Sequence, residues 1–300
     1  MLIKNNYFLL VPLAAAFALS SCGGDKAENI DENAVGADTA KVETISAVPE
    51  TFFQVPSPGE MLTFIKMVGG KNNKNISFLN SPSNLASYSD AKSKALNFGV
   101  YSCDLSYCSI FEIGAEALKY FKSVKQLGDQ IGVSTAIKPE MLKRLEGNLG
   151  NPDSLSVISD DIYMSSFETL ETGKQGNTMC LVVAGGWIES LYIATSLAKY
   201  EANSPIVERL ADQKYTLENL IDFLKKYESD ANTASVLVLF KELKTEFDKI
   251  GEQENAASET KGKSKKVVLG GGKSLVLSAE QYKIIVAKIA SIRNSFTQVK

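Results

Sequence analysis

Two stretches of the chain set a carboxylate among apolar and small residues, with a tyrosine three positions on. They are LNFGVYSCDLSYCSIF, with Asp104 and Tyr107, and MCLVVAGGWIESLYIATSLA, with Glu189 and Tyr192. Residues three apart share a helix face. Two carboxylates brought together in an apolar interior raise the pKa of at least one of them, the arrangement that acid–base catalysis uses. Asp104 and Glu189 are therefore the candidate catalytic residues, with Tyr107, Trp187 and Tyr192 as candidate binding residues around them. The same pattern has a structural reading, in which each acid is satisfied by a hydroxyl, a backbone group or an arginine and fixes helix packing. Nothing else in the sequence completes a mechanism, and this weighs toward the structural role. The chain has no histidine, which excludes Ser-His-Asp and Cys-His catalysis and histidine-ligated zinc. No metal or dissociable cofactor is expected.

A third stretch, GGGKS, carries the residue types of a phosphate-binding loop. That motif needs a glycine five positions before its Gly-Lys pair, and Val267 stands there. A second apolar run follows the lysine where the motif needs a helix. The whole piece, KKVVLGGGKSLVL over 265–277, reads instead as a β-hairpin, two β-branched runs around a glycine cluster, preceded by the polar loop GEQENAASETKGKSKK.

The elements that must position the two acids are helical by period. Apolar residues recur at three and four positions in TLENLIDFLKKY (Leu217, Leu220, Ile221, Leu224, with Thr216 placed to cap). They do so again in SVLVLFKELKTEFDKI (Val236, Leu239, Phe240, Leu243, Phe247, Ile250), AEALKYFKSVKQLGDQI (Leu118, Phe121, Leu127, Ile131) and SLSVISDDIYMSSFETL (Leu155, Ile158, Ile162, Leu170). A last helix carries Tyr282, Ile285, Ile289, Ile292 and Phe296 and opens on a capping box, Ser278-Ala-Glu-Gln281. The two acid-bearing stretches differ from these in being apolar or small all round, the composition of a helix buried in a bundle core or a membrane. Glu189 at the centre of its stretch would cost several kcal/mol in lipid, which favours the core. Gly185-Gly186 weakens helix propensity but lets another backbone approach closely.

The chain opens with Lys4, an apolar run from Tyr7 to Leu19 that is too short to span a bilayer, and then Leu19-Ser20-Ser21-Cys22. That ending resembles the lipobox of bacterial lipoproteins. The resemblance covers about the first 25 residues. It implies cleavage before Cys22, a diacylglycerol on its thiol and an N-acyl chain on the new amino terminus. Two or three acyl chains hold a protein on a membrane where one does so only marginally. Gly23 stands where an aspartate resembles the inner-membrane retention signal of enteric bacteria, which points to the outer membrane. Together with the lipobox, ALNFGVYSCDLSYCSIF, EALKYFKSVKQLGDQIGV and LVVAGGWIESLYIATSLA are similar to a group of all-helical bacterial lipoproteins, over about residues 56–297. That resemblance implies a helical fold and an envelope location and brings no activity with it. Residues 23–58 are acidic, poor in bulky apolar residues and carry prolines. Such a segment cannot repay its ordering entropy and reads as a tether, reaching about 30–35 Å. With Cys22 lipidated, Cys103, Cys108 and Cys180 remain. Cys103 and Cys108 on one helix would lie about 8 Å apart, too far to bond. A Cys180 bridge to either stays open, beside the reading of buried free thiols.

The expected fold class is all-α, a multi-helix bundle or short solenoid of helix hairpins with a small β-hairpin before the last helix. It occupies 59–300, after a signal peptide over 1–21 and a lipidated Cys22 with its tether over 22–58. A net charge of −3 without a basic cluster excludes nucleic acid as a partner. The expected partners are the membrane, through the anchor, and a protein or small molecule that the sequence does not name. Three functions fit: a lipid-anchored helical binding module of the cell envelope, an envelope hydrolase using the carboxylate pair, and a purely structural envelope protein.

Overall fold

The structure, a computed structural model, describes residues 55–69, 73–254 and 273–299. The expected signal peptide, Cys22 and the tether as far as residue 54 lie outside the described residues, as do 255–272. The described residues form helices α1 (Pro58–Val68), α2 (Ala91–Ile110), α3 (Gly114–Ile131), α4 (Pro139–Glu146) and α5 (Pro152–Thr172). Then come α6 (Gly176–Leu197), α7 (Pro205–Lys225), α8 (Ala231–Phe247), strands β1 (Gly251–Glu254) and β2 (Lys273–Val276), and α9 (Ala279–Thr297). A short 3-10 turn, Pro82–Ser87, precedes α2. The fold is all-α, as expected, and it is a bundle around two central helices.

Those two are the acid-bearing stretches. Every residue from Ala95 to Ile110 in α2 and from Met179 to Leu191 in α6 is buried. Helices α1, α5 and α9 pack on both of them, α3 covers α2, and α7 and α8 cover α6. By length and composition α6 could cross a membrane, but 78% of its most apolar window is buried inside the bundle. It is a core helix, apolar all round because it is covered all round.

The two helices cross backbone to backbone. A Cβ on Gly185 would stand 2.0 Å from the Leu96 carbonyl oxygen. One on Gly99 would stand 2.1 Å from the Val182 carbonyl oxygen and 2.7 Å from the Gly186 nitrogen. No side chain fits at either position, so the approach of α2 to α6 depends on these glycines.

The outer helices bury the stripes that their periodicity marks. Leu155, Ile158, Ile162 and Leu170 of α5, Leu217, Leu220, Ile221 and Leu224 of α7, and Ile285, Ile289, Ile292 and Phe296 of α9 are all buried. Their starts are written locally. Asp90, Asn151, Ser204 and Asp230 accept from the backbone N–H three residues on, at the heads of α2, α5, α7 and α8. Ser278 and Gln281 form the reciprocal capping box of α9.

Three expectations need correction. Thr216 caps nothing: α7 already begins at Pro205 under Ser204, and Thr216 is a buried position within it. The pattern across 205–215 is more polar, which hid the first half of the helix. The hairpin before the last helix exists, but β2 pairs antiparallel with Gly251–Glu254, in register Gly251↔Val276, a segment expected as loop. The first expected strand, 265–269, lies outside the described residues. The folded part also begins earlier than 59, since Val55 and Pro58 are already buried. Cys103, Cys108 and Cys180 are buried free thiols.

Gly99→Ala and Gly185→Ala are each expected to destabilise the protein by about 3 kcal/mol or more, because overpacking against backbone outweighs the roughly 1 kcal/mol that alanine gains in a helix. Gly150→Ala, with open space around its Cβ, serves as the control and should stay within about 1 kcal/mol of the parent. Urea unfolding measures all three; a Gly185→Ala protein as stable as the control would contradict the crossing.

Candidate functional site: a buried carboxylate–arginine centre

The crossing carries Asp104 of α2 and Glu189 of α6 into one buried place, both with no solvent exposure. A third charged residue, Arg293 of α9, reaches them and is itself buried. Arg293 Nε donates to Glu189 Oε2 at 2.8 Å, and Nη2 donates to Oε1 at 3.0 Å. This is the forked geometry in which guanidinium and carboxylate match best. Nη2 also donates to the Phe78 carbonyl at 3.2 Å, and the guanidinium lies 4.6 Å from the centre of the Tyr192 ring. One arginine thus ties α9 to α6 and to the segment that leads into the 3-10 turn.

Asp104 is held differently. Its Oδ2 accepts from the Asn80 backbone N–H at 3.2 Å, its Oδ1 is buried without a hydrogen-bond partner among the described residues, and the charge of Glu189 acts on it. Two carboxyl groups buried together repel when both are ionised, so one of them tends to keep its proton. Burial first, and then the charge of Glu189, push Asp104 well above the usual carboxylate range, and Arg293 offsets this only in part. Burial raises Glu189 too, but there the Arg293 charge, its forked hydrogen bonds and the neighbouring Asp104 side chain all oppose the rise. The proton therefore sits on Asp104, beside an ionised Glu189. Two carboxyls, one proton and one guanidinium sum to zero charge, which is what a site without water requires.

A second layer holds the first. Asn80 Nδ2 donates to the Tyr88 hydroxyl at 3.0 Å and to Asn97 Oδ1 at 3.1 Å. Tyr88 donates to the Thr297 carbonyl at 3.2 Å, and Asn97 Nδ2 to the Phe296 carbonyl at 2.8 Å. The last carbonyls of α9, which lack helical partners, are satisfied by α2 and by the segment before it.

Of the candidate binding residues, the structure brings only Tyr192 to the centre, through its ring face. Tyr107 points elsewhere: its hydroxyl donates to the Asn73 and Asn75 carbonyls at 3.2 and 2.9 Å, and its ring stacks on Phe111. Trp187 faces the other side of α6, where Nε1 donates to Gln213 Oε1 at 3.0 Å and the indole packs on Phe240. Asn80, Asn97, Tyr88 and Arg293 belong to none of the chemical motifs that the sequence displays. Arg293 had a signal: it lies four residues after Ile289, within the buried stripe of α9, and is one of only three arginines in the chain.

Among the described residues, no group of three or more histidine, cysteine, aspartate or glutamate side chains could hold a metal ion. Comparison with family models, curated proteins and solved structures finds no match.

Arg293→Met is expected to cost about 3–5 kcal/mol at neutral pH, because it leaves Glu189 buried and unpaired. The loss should shrink in acid, where Glu189 takes up a proton. Its folded pKa then lies further above the unfolded one, so stability falls as pH rises. Asp104→Asn keeps a donor toward Glu189 and an acceptor toward Asn80, and should cost no more than about 1 kcal/mol. Thermal unfolding of the two variants at several pH values measures both; equal losses would place the proton wrongly.

Proposed function

We propose that this chain is a lipid-anchored binding module of the bacterial cell envelope, a helical body on an acidic tether held by acyl chains on Cys22, at the outer membrane. The observation that carries the reading is the state of the charged centre. The one constellation with acid–base chemistry in the sequence is buried, neutralised internally and spent on joining four segments of the fold. A glycosidase pair needs two carboxyls about 5–10 Å apart across an open cleft. Here both are buried away from solvent, and one is engaged by Arg293. This supports Asp104 and Glu189 as structural residues and moves the search for function to the surface.

The surface offers concavities. A groove of about 420 Å³ runs between the segment before α2, α8 and the end of α9, lined by Ser87, Lys92, Ser93, Ser235 and Gln298 over a floor of Tyr88 and Phe296. A second, of about 510 Å³, lies between α1 and the α6–α7 connection. Neither is lined by the buried acids.

The test is affinity purification from gently cross-linked native membranes, comparing the wild type with Cys22→Ala. The variant should leave the membrane fraction, and a stoichiometric partner should be captured by the anchored form alone. A Cys22→Ala protein that stays with the membrane would overturn the anchor.

A further inference from the structure

The chain has three arginines. Arg144 pairs with Asp161 and Arg293 with Glu189. Arg209 of α7 has no ion-pair partner among the described residues, and its Nε is buried without a hydrogen-bond acceptor. The guanidinium lies 5.5 Å from the centre of the Phe64 ring. An arginine N–H removed from water with no acceptor forfeits a hydrogen bond worth more than a neutral one, and the wall around it supplies no replacement. That wall is a narrow slot between α1, α6, α7 and α9, lined by Met61, Phe64, Leu191, Ala194 and Leu210. The slot now has space of about 10 Å³, enough for one water-sized group. It shares Ile65 and Ile206 with the groove of about 510 Å³ between α1 and the α6–α7 connection, where Leu197, Tyr200 and Pro205 continue the apolar lining.

We infer that this slot and groove form a binding site for a small alkyl monocarboxylate, its carboxylate on Arg209 and its stem along Ile65 and Ile206. The head is set by charge and shape: a carboxylate matches the guanidinium fork and fills the acceptor place at Nε. The stem is set by the slot, whose lining is apolar apart from Arg209 and the hydroxyls of Thr195 and Tyr282, the latter already donating to the Ala198 carbonyl. Thr195 already donates to the Leu191 carbonyl and has only acceptor capacity left. The head needs more room than one water, and Met61, with three rotatable bonds, and Phe64 at the edge of α1 are the side chains that can yield it. Lys199 and Glu201 both line the groove, so the pull on an anion there rests on Arg209. This names a ligand class for the binding module proposed above and rests on that reading, but it is tested apart from the anchor.

The experiment is calorimetric titration of the full chain carrying Cys22→Ala, which lacks acyl chains that could compete, with hexanoate, hexanol and acetate. Hexanoate should bind about tenfold or more tightly than either of the others, since one lacks the charge and the other the stem. Arg209→Met should erase the preference for hexanoate over hexanol while leaving the melting temperature within a few degrees of the parent. Ala194→Leu, which fills the slot and keeps the arginine, should abolish hexanoate binding. Equal affinity for hexanoate and hexanol, equal affinity for hexanoate and acetate, an unchanged preference in Arg209→Met, or no heat with hexanoate at millimolar concentration would each overturn the site. A failure here beside a partner captured from membranes removes only this ligand; a success beside a variant that stays on the membrane removes only the anchor.

Discussion

The backbone contact between α2 and α6 is the constraint on which the rest of the molecule depends. Gly99 on one helix and Gly185-Gly186 on the other let the two meet without side chains between them. At that distance the residues one and two turns away face each other, and two of them are acids. The crossing is favourable as packing and costly as electrostatics, since it takes Asp104 and Glu189 out of water together. The cost is offset by a proton kept on Asp104 and by a guanidinium drawn in from α9. Arg293 in turn holds the Phe78 carbonyl, and Asn80, two residues on, holds Asp104. One close crossing thus fixes the position of the C-terminal helix and of the segment ahead of α2.

Most of the helical body is legible in the sequence, for a reason visible in its outer helices. Each has one wet face and one dry face, so burial writes itself as a period of three and four residues. The capping box at Ser278 and the apolar-all-round character of α2 and α6 follow from equally local chemistry. What is not legible depends on partners distant in sequence. β2 has a strand composition that names no partner, and its pairing with Gly251–Glu254 is a tertiary choice. Asp104 and Glu189 announce a polar centre but not its third member, 104 residues beyond Glu189. The matching tyrosines at Tyr107 and Tyr192 look equivalent by spacing. They diverge because the faces of α2 and α6 on which they lie meet different neighbours.

The centre also shows why two carboxylates in a core need not be an active site. Catalytic pairs keep one member exposed to substrate and leave their charge unbalanced until it arrives. Here the charge is balanced in the resting fold, each group has a packing task, and no solvent reaches either acid. A buried, satisfied polar cluster of this kind specifies which helices meet and in what register, at some expense in stability relative to apolar packing. Arg209 is the contrasting case, a partly buried cation whose Nε has no acceptor among the described residues, at the edge of an apolar slot. The two arginines differ in that Arg293 is engaged within the fold, whereas Arg209 is the residue on which the inferred site rests.

The central claim is that the electrostatic cost of the α2–α6 crossing is offset by one proton kept on Asp104 and one guanidinium on Glu189. Infrared difference spectroscopy between the wild type and Asp104→Asn at neutral pH tests it most directly. A protonated carboxyl stretch present in the wild type and absent from the variant, unchanged on moving to mildly alkaline pH, is the expected result. A spectrum showing only carboxylate bands at neutral pH would mean that both acids are ionised, and the account of the centre would be wrong.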